Sequence, residues 1–298
     1  MTRRCSRMRC AAAALALLVA TPALSAQVTK PVPALPVPDH LREFHASPTV
    51  SMRVYVPAGR LIIRTWDRDS ISVRGTHGAA SAMFGGGDRE HVKFGVEPLR
   101  TGDARLASAD LQVTVPRRAR LWVKATVATI DVTGSGGELE VYAVGGSITV
   151  RQASGVISIE SIDAPVQVDS VRGDLRVRGG KAPIVVREAS GTASITTVSG
   201  SVTLIGHAPE SRIETIGGDI LLDATRLAGA LVDLQTHAGA IRITTGTEAR
   251  PLLDLSSRTG AVTTPVPTGL AANGRVLARS FRGTITVAPA APAHRKGQ

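Results

Sequence analysis

From Ala119 to about Leu204 the chain repeats every nine residues. Blocks starting at residues 119, 128, 137, 146, 155, 164, 173, 182, 191 and 200 each open with a small residue, Gly or Ala, and carry apolar residues two and four places later. The first of these positions reads Leu121, Ile130, Leu139, Ile148, Ile157, Val166, Leu175, Ile184, Ala193 and Val202, and the second reads Val123, Val132, Val141, Val150, Ile159, Val168, Val177, Val186, Ile195 and Leu204. All but Ala193 are Val, Ile or Leu, far above their share of an ordinary soluble chain. Side chains alternate along a strand, so two apolar positions separated by one residue predict a short strand with one buried face. A further apolar or small residue recurs seven places after the block start, in Val144, Ala153, Ile162, Val171, Ala189 and Val198, and predicts a turn that tucks a side chain inward. Beyond residue 204 the count loosens while the pairs persist, as Ile220/Leu222, Val232/Leu234, Ile241/Ile243, Leu253/Leu255, Val276/Ala278 and Ile285/Val287. Insertions fall between strands, where turns tolerate them.

Two all-β architectures fit this spacing: an antiparallel β-sandwich of short strands, and a β-solenoid with about two short strands per 18-residue coil, each strand stacked on its equivalent one coil away. The unbroken period, Ala-Pro recurring at 164 and 182, and Ala-Ser-Gly recurring at 153 and 189 favour the solenoid. It predicts inward columns of Val141, Ile159, Val177 and Ile195 and of Val132, Val150, Val168 and Val186. It also predicts an outward column of Arg151, Asp169 and Arg187. Aromatic residues are only 3% of the chain, which suits a thin core of β-branched side chains.

The flanks divide the rest. Residues 1–26 carry Arg3, Arg4, Arg7 and Arg9, an apolar run over 11–20 and the small-residue end Ala23-Leu-Ser-Ala26, and read as a secretory signal peptide. Residues 27–48, with Pro31, Pro33, Pro36 and Pro38, read as a Pro-rich linker. Residues 49–118 form an N-terminal β region in which the Gly-rich stretch 78–88 is expected to be a mobile loop, 119–287 the repeat solenoid, and 288–298 a disordered tail. Both cysteines, Cys5 and Cys10, lie in the expected leader, so the mature chain has no thiol for a disulfide, a metal or a nucleophile. Cleavage also removes four of 35 Lys+Arg and none of 24 Asp+Glu, which lowers the formal charge from +11 to +7 and favours anionic surfaces. No later stretch is long and apolar enough to span a membrane as a helix.

The segments Gly59-Arg-Leu-Ile-Ile-Arg-Thr-Trp-Asp-Arg-Asp-Ser-Ile-Ser-Val73 and Leu111-Gln-Val-Thr-Val-Pro116, with the Gly-x-Ile-x-Val series that follows, resemble the bacterial putative adhesin family of β-strand-repeat envelope proteins, of the domain of unknown function 4097 type. The resemblance covers about residues 45–287. It implies an exported, envelope-associated protein and transfers no catalytic residue.

The residues add little chemistry. A calcium-binding nonapeptide roll needs an Asp in every turn, and none recurs. The acids Glu138, Glu140, Glu160, Asp163, Asp169, Asp174 and Glu188 project onto different columns of an 18-residue coil, whereas glycoside hydrolysis needs two carboxylates facing one cleft. Asp219 and Asp223 could share a sheet face. His40, His45, His77, His91, His207, His237 and His294 are scattered, and Gly85-Gly-Gly87 lacks the strand-to-helix setting of a phosphate loop. Scarce aromatics argue against nucleic acid as a partner. The expectation is therefore a non-catalytic protein with no catalytic, cofactor-binding or metal residues and no cofactor. It would be periplasmic or secreted to the cell surface, and would bind or scaffold an envelope glycan, an anionic lipid surface or an envelope protein. An envelope-stress sensor working through a protein partner and a carbohydrate-active enzyme on a β-helix are the alternatives.

Overall fold

The structure is a computed structural model and describes residues 34–100, 105–206, 209–225, 229–246, 251–265 and 274–289. The expected leader and most of the expected tail lie outside them. Within the repeat every strand pairs in parallel with its equivalent one coil away. Glu138–Arg151 pairs at an offset of 18 residues with Arg120–Thr133 on one side, and with Ser154–Ser161 and Val166–Gly179 on the other. Val166–Gly179 continues to Ile184–Thr197, and that strand to Val202–Ile205 and Glu210–Thr215. Parallel pairing at this offset excludes the antiparallel sandwich. The molecule is a β-solenoid with two strand segments per coil and two outward sheet faces.

The inward columns stand in register. Val141, Ile159, Val177 and Ile195 succeed one another along the first sheet, and Val132, Val150, Val168 and Val186 along the second; all eight are buried. The later pairs follow the same registers, although Leu253 and Leu255 are only partly buried. On the outside, Arg151 and Arg187 both reach Asp169, at 3.9 and 3.3 Å, and Arg151 also holds Asp131 at 2.8 Å. A single ladder of alternating charge thus marks the register.

Three expectations fail, each for a physical reason. The region before residue 119 is part of the solenoid: Ser51–Trp66 bends through both sheets and pairs in parallel with Arg120–Thr133 on one side, and with His91–Pro98 and Ser108–Pro116 on the other. The Gly-rich stretch read as a mobile loop is the strand Ser81–Gly87, antiparallel to His91–Pro98. Its glycines permit close approach, since a Cβ on Gly85 would stand 2.9 Å from Leu41 Cδ2. The described part of the expected linker is packed. Ala34–Pro36 and Glu43–His45 both pair with Ser70–Gly78, and Val37, Leu41 and Ala46 are buried, because the apolar residues between the prolines close the end of the core.

Coil order departs from chain order at both ends. The chain enters at Ser51–Trp66, overshoots to His91–Pro116 on the outer side, then crosses to Arg120–Thr133 on the inner side. At the other end Leu252–Ser257 and Val262–Thr263 form the outermost coil, and Gly274–Ser280 and Ile285–Pro289 insert between it and the coil of Ala230–Thr236 and Ile241–Thr245.

Candidate functional site

Strand alternation sends the residues between the core positions outward, and the first sheet uses them unevenly. The chain has two Trp and two Tyr, and three of these four, Tyr55, Trp122 and Tyr142, project from neighbouring strands of that one face. In register, Arg53 lies beside Trp122 and Trp122 beside Glu140; one row on, Tyr55 lies beside Lys124 and Lys124 beside Tyr142. The Lys124 ammonium sits 5.9 Å from the Tyr142 ring centre, a cation–π contact. Ser51, Arg53, Arg120, Trp122, Glu138 and Glu140 enclose an open recess of about 500 Å³. Trp122 is 36% exposed, and no side-chain hydrogen bond or ion pair engages Arg53, Arg120, Glu138 or Glu140 among the described residues. The recess therefore offers an aromatic surface, two free guanidinium groups and two free carboxylates on a floor of parallel-paired strands.

That grouping was not visible from spacing within the repeat. It joins Ser51–Trp66 to Arg120–Thr133, which are consecutive coils in space but not in sequence. It also brings Glu138 and Glu140 together, two places apart on one strand and so on the same side of it. Two carboxylates on one side of a strand offer a ligand neighbouring acceptors, which suits hydrogen bonding to hydroxyl groups.

The other residues weighed from sequence are apart. Asp219 accepts a hydrogen bond from the Ala240 N–H at 2.8 Å and pairs with Arg242 at 3.2 Å, while Asp223 accepts one from the Thr225 N–H. Asp219 precedes the strand Ile220–Ala224 and Asp223 lies within it, so each acid serves a different turn. His77 is buried, its Nδ1 3.1 Å from the Gly78 carbonyl; His91 lies beside Asp88; His237 stacks on Phe281. His207 and His294 lie outside the described residues, and among the described residues no group of His, Cys, Asp and Glu could hold a metal ion. Nor is any described helix long and apolar enough to cross a membrane.

The two corners of each coil also differ, where sequence predicted one behaviour. After the second sheet the recurring small residue turns inward, as Ala153, Val171 and Ala189 show. Gln152, Ser170 and Glu188, directly before them, hold φ of 51°, 57° and 52°, a left-handed conformation that aims the next side chain inward. After the first sheet a hydroxyl takes that role, buried in Thr215, Thr236 and Ser280 and partly buried in Ser257. The Gly218 N–H donates to Thr215 Oγ1 at 2.9 Å, Gly239 to Thr236 at 3.0 Å, Gly283 to Ser280 at 2.8 Å and Gly260 to Ser257 at 3.0 Å. The residue after the hydroxyl is then turned outward. The signal was present as Ser/Thr-x-x-Gly in 215–218, 236–239, 257–260 and 280–283.

No curated protein matches the chain. Three solved structures resemble it at low identity. A "putative adhesin" of Bacteroides fragilis NCTC 9343 is 11% identical with a TM-score of 0.38, over 83% of this chain and 95% of that one. A "putative lipid binding protein" of Parabacteroides distasonis ATCC 8503 is 11% identical with a TM-score of 0.41, over the same shares of the two chains. A "putative cell adhesion protein" of Clostridium sporogenes ATCC 15579 is 8% identical with a TM-score of 0.23, over 87% of this chain and all of that one. The family model described as Toastrack DUF4097 matches residues 50–280, most of the solenoid from its first coil to the inserted last one, and the chain belongs to that family.

Proposed function

We propose that this protein is an exported, non-catalytic binding platform of the cell envelope, and that its first-sheet face around Trp122 engages a polysaccharide. The single observation that supports the reading is the gathering of Tyr55, Trp122 and Tyr142 beside unpaired Arg53, Arg120, Glu138 and Glu140 on a floor held by parallel strands. Aromatic faces stack on the C–H faces of sugar rings. Carboxylates accept from vicinal hydroxyls, and guanidinium groups donate to ring and carboxyl oxygens. The shallow recess suits an extended chain lying across strands. Titration of the protein with solubilised envelope polysaccharides, read by Trp fluorescence and calorimetry, tests the reading. Binding that Trp122→Ala and Glu140→Gln each weaken about tenfold supports it. Equal binding by wild type and both variants, or turnover of a glycan, removes it.

A further inference from the structure

The corner after the first sheet builds a second surface. In successive coils the residue after the turn's hydroxyl is Ile162 after Ser161, then Val198, Ile216, His237, Phe281 and Arg258, with Gly180 at the matching place in the coil between Ile162 and Val198. Backbone bonds from coil to coil, such as Lys181 N–H to the Ile162 carbonyl at 3.1 Å, Ile216 N–H to Val198 at 3.2 Å, Ala238 N–H to Ile216 at 2.9 Å and Thr259 N–H to Phe281 at 3.1 Å, stack these turns at strand spacing. Their side chains form one ridge along an edge of the solenoid. Ile162 is 44% exposed, Val198 53%, Ile216 59% and Phe281 37%. The fold does not impose this, because the opposite corner buries its apolar residues. Single exposed apolar residues are ordinary on a protein, and an aligned row of them is not.

The charges beside the row are mainly positive. Lys181 and Arg282 occupy the next turn position, Arg258 stands in the row itself, and the Arg258 and Arg282 guanidinium carbons lie 5.3 and 6.0 Å from the Phe281 ring centre. Arg178 and Arg279 border a recess of about 670 Å³ along the sheet side of the ridge, walled also by Val198, Glu214, Ile216 and Phe281. The acids here are Asp163 on the corner and Glu160 and Glu214 on the sheet, and Glu214 is already paired with Arg212.

We propose that this ridge rests on an anionic bilayer, with Ile162, Val198, Ile216 and Phe281 entering the headgroup layer and Arg258, Arg279 and Arg282 meeting lipid phosphates. Two observations choose a bilayer over a protein. The apolar row is one residue wide, so a rigid partner could cover only a fraction of the ~800 Å² per side that a stable protein interface buries, whereas a fluid surface closes around it. Apolar side chains flanked by arginine are also the combination that interfacial binding uses, each cation near an anionic leaflet strengthening it about fivefold.

Co-sedimentation of the full chain with phosphatidylglycerol/phosphatidylcholine vesicles and with phosphatidylcholine vesicles tests this. Val198→Ser/Ile216→Ser/Phe281→Ser and Arg258→Glu/Arg282→Glu serve as variants, and circular dichroism melting checks their folding. All forms share residues 1–33, so any binding through that segment is common to them. The proposal expects each variant to bind anionic vesicles at least tenfold more weakly than wild type, 0.5 M salt to erase the effect of the arginine pair, and Trp122→Ala to bind as wild type. Equal binding by all forms overturns it. So does wild-type binding that ignores lipid charge, or a ridge variant that abolishes self-association in the absence of lipid, which would assign the ridge to a second copy. Because the glycan face and the ridge share no residue, failure of one leaves the other standing.

Discussion

Replacing Thr215 by Val keeps the shape of a side chain that is 7% exposed and removes only its oxygen. That oxygen accepts the Gly218 N–H at 2.9 Å and donates to the Val198 carbonyl at 3.5 Å, so it ties its own turn and the preceding coil together. Water cannot take over the lost acceptor: a Cβ placed on Gly218 would stand 2.0 Å from the Gly200 carbonyl oxygen, which shows how tightly the two turns are stacked. The Gly218 N–H would therefore be left unpaired. A neutral hydrogen bond contributes about 1 kcal/mol net, and an orphaned buried donor costs about 1–3 kcal/mol. The expected loss is about 2 kcal/mol, a fall in midpoint of roughly 4–8 °C for a unit of this size. Thermal and urea unfolding followed by circular dichroism measure it, with Thr203→Val on the outward side of the second sheet as the control, expected within about 0.5 kcal/mol of wild type. If the two variants unfold together, the hydroxyl does not hold the corner and the outward setting of Ile216 has another cause.

Val168→Asp places a carboxylate in the middle of a fully buried apolar column and should cost several kcal/mol, roughly enough to unfold a marginal domain; a melting curve matching wild type would remove Val168 from the core. Asp169→Asn should cost about 0.2–1 kcal/mol at low salt, since it takes the central carboxylate from the Arg151–Asp169–Arg187 ladder, and urea midpoints in 0.5 M salt should bring the variant close to wild type. The His91 and Glu90 N–H groups donate to the Asp88 carboxylate at 2.7 and 2.8 Å and hold its pKa below the usual range. The support this lends the hairpin turn is complete above about pH 4, near the ordinary carboxylate value, and is lost as pH falls through the lower folded value. Protection of the Glu90 and His91 amides, taken relative to the intrinsic exchange rate at each pH, should fall over that acid window, and in Asp88→Ala it should be low throughout and show no such step.

The repeat was legible because the β-strand period is local: Val141, Ile159 and Val177 declare their column through spacing alone. So was the charge ladder, once an 18-residue coil set the neighbours of Asp169. What spacing could not show were pairings between segments with no shared period. Ser51–Trp66 neighbours Arg120–Thr133 across an excursion of more than fifty residues, so the company of Arg53 and Tyr55 with Trp122 and Tyr142 was hidden, and the aromatic face with it. The Gly-rich strand Ser81–Gly87 reads as a loop by composition, yet its lack of side chains lets it close over Leu41 and Phe94. At the corners, Val171 and Val198 occupy the same place in the nine-residue count. Only the hydroxyl before Val198 and the left-handed Ser170 before Val171 separate outward from inward.

The exchange of coil order at the two ends changes how the molecule bears load. In a solenoid wound in strict sequence, a pull on either end of the chain meets a strand paired on one side only and peels coils away one at a time. Here the last strand among the described residues, Ile285–Pro289, is flanked by Ile241–Thr245 and Val262–Thr263, and the strand where the chain first enters the solenoid, Ser51–Trp66, is flanked on both sides along its length. A pull from the C-terminal side must extract an interior coil from between two neighbours, breaking two ladders together, and a pull from the N-terminal side meets the same resistance at Ser51–Trp66 once Ala34–Pro36 and Glu43–His45, each paired only with Ser70–Gly78, have been stripped. Loaded from its C-terminal side, such a fold holds as a clasp does rather than unravelling as a zip.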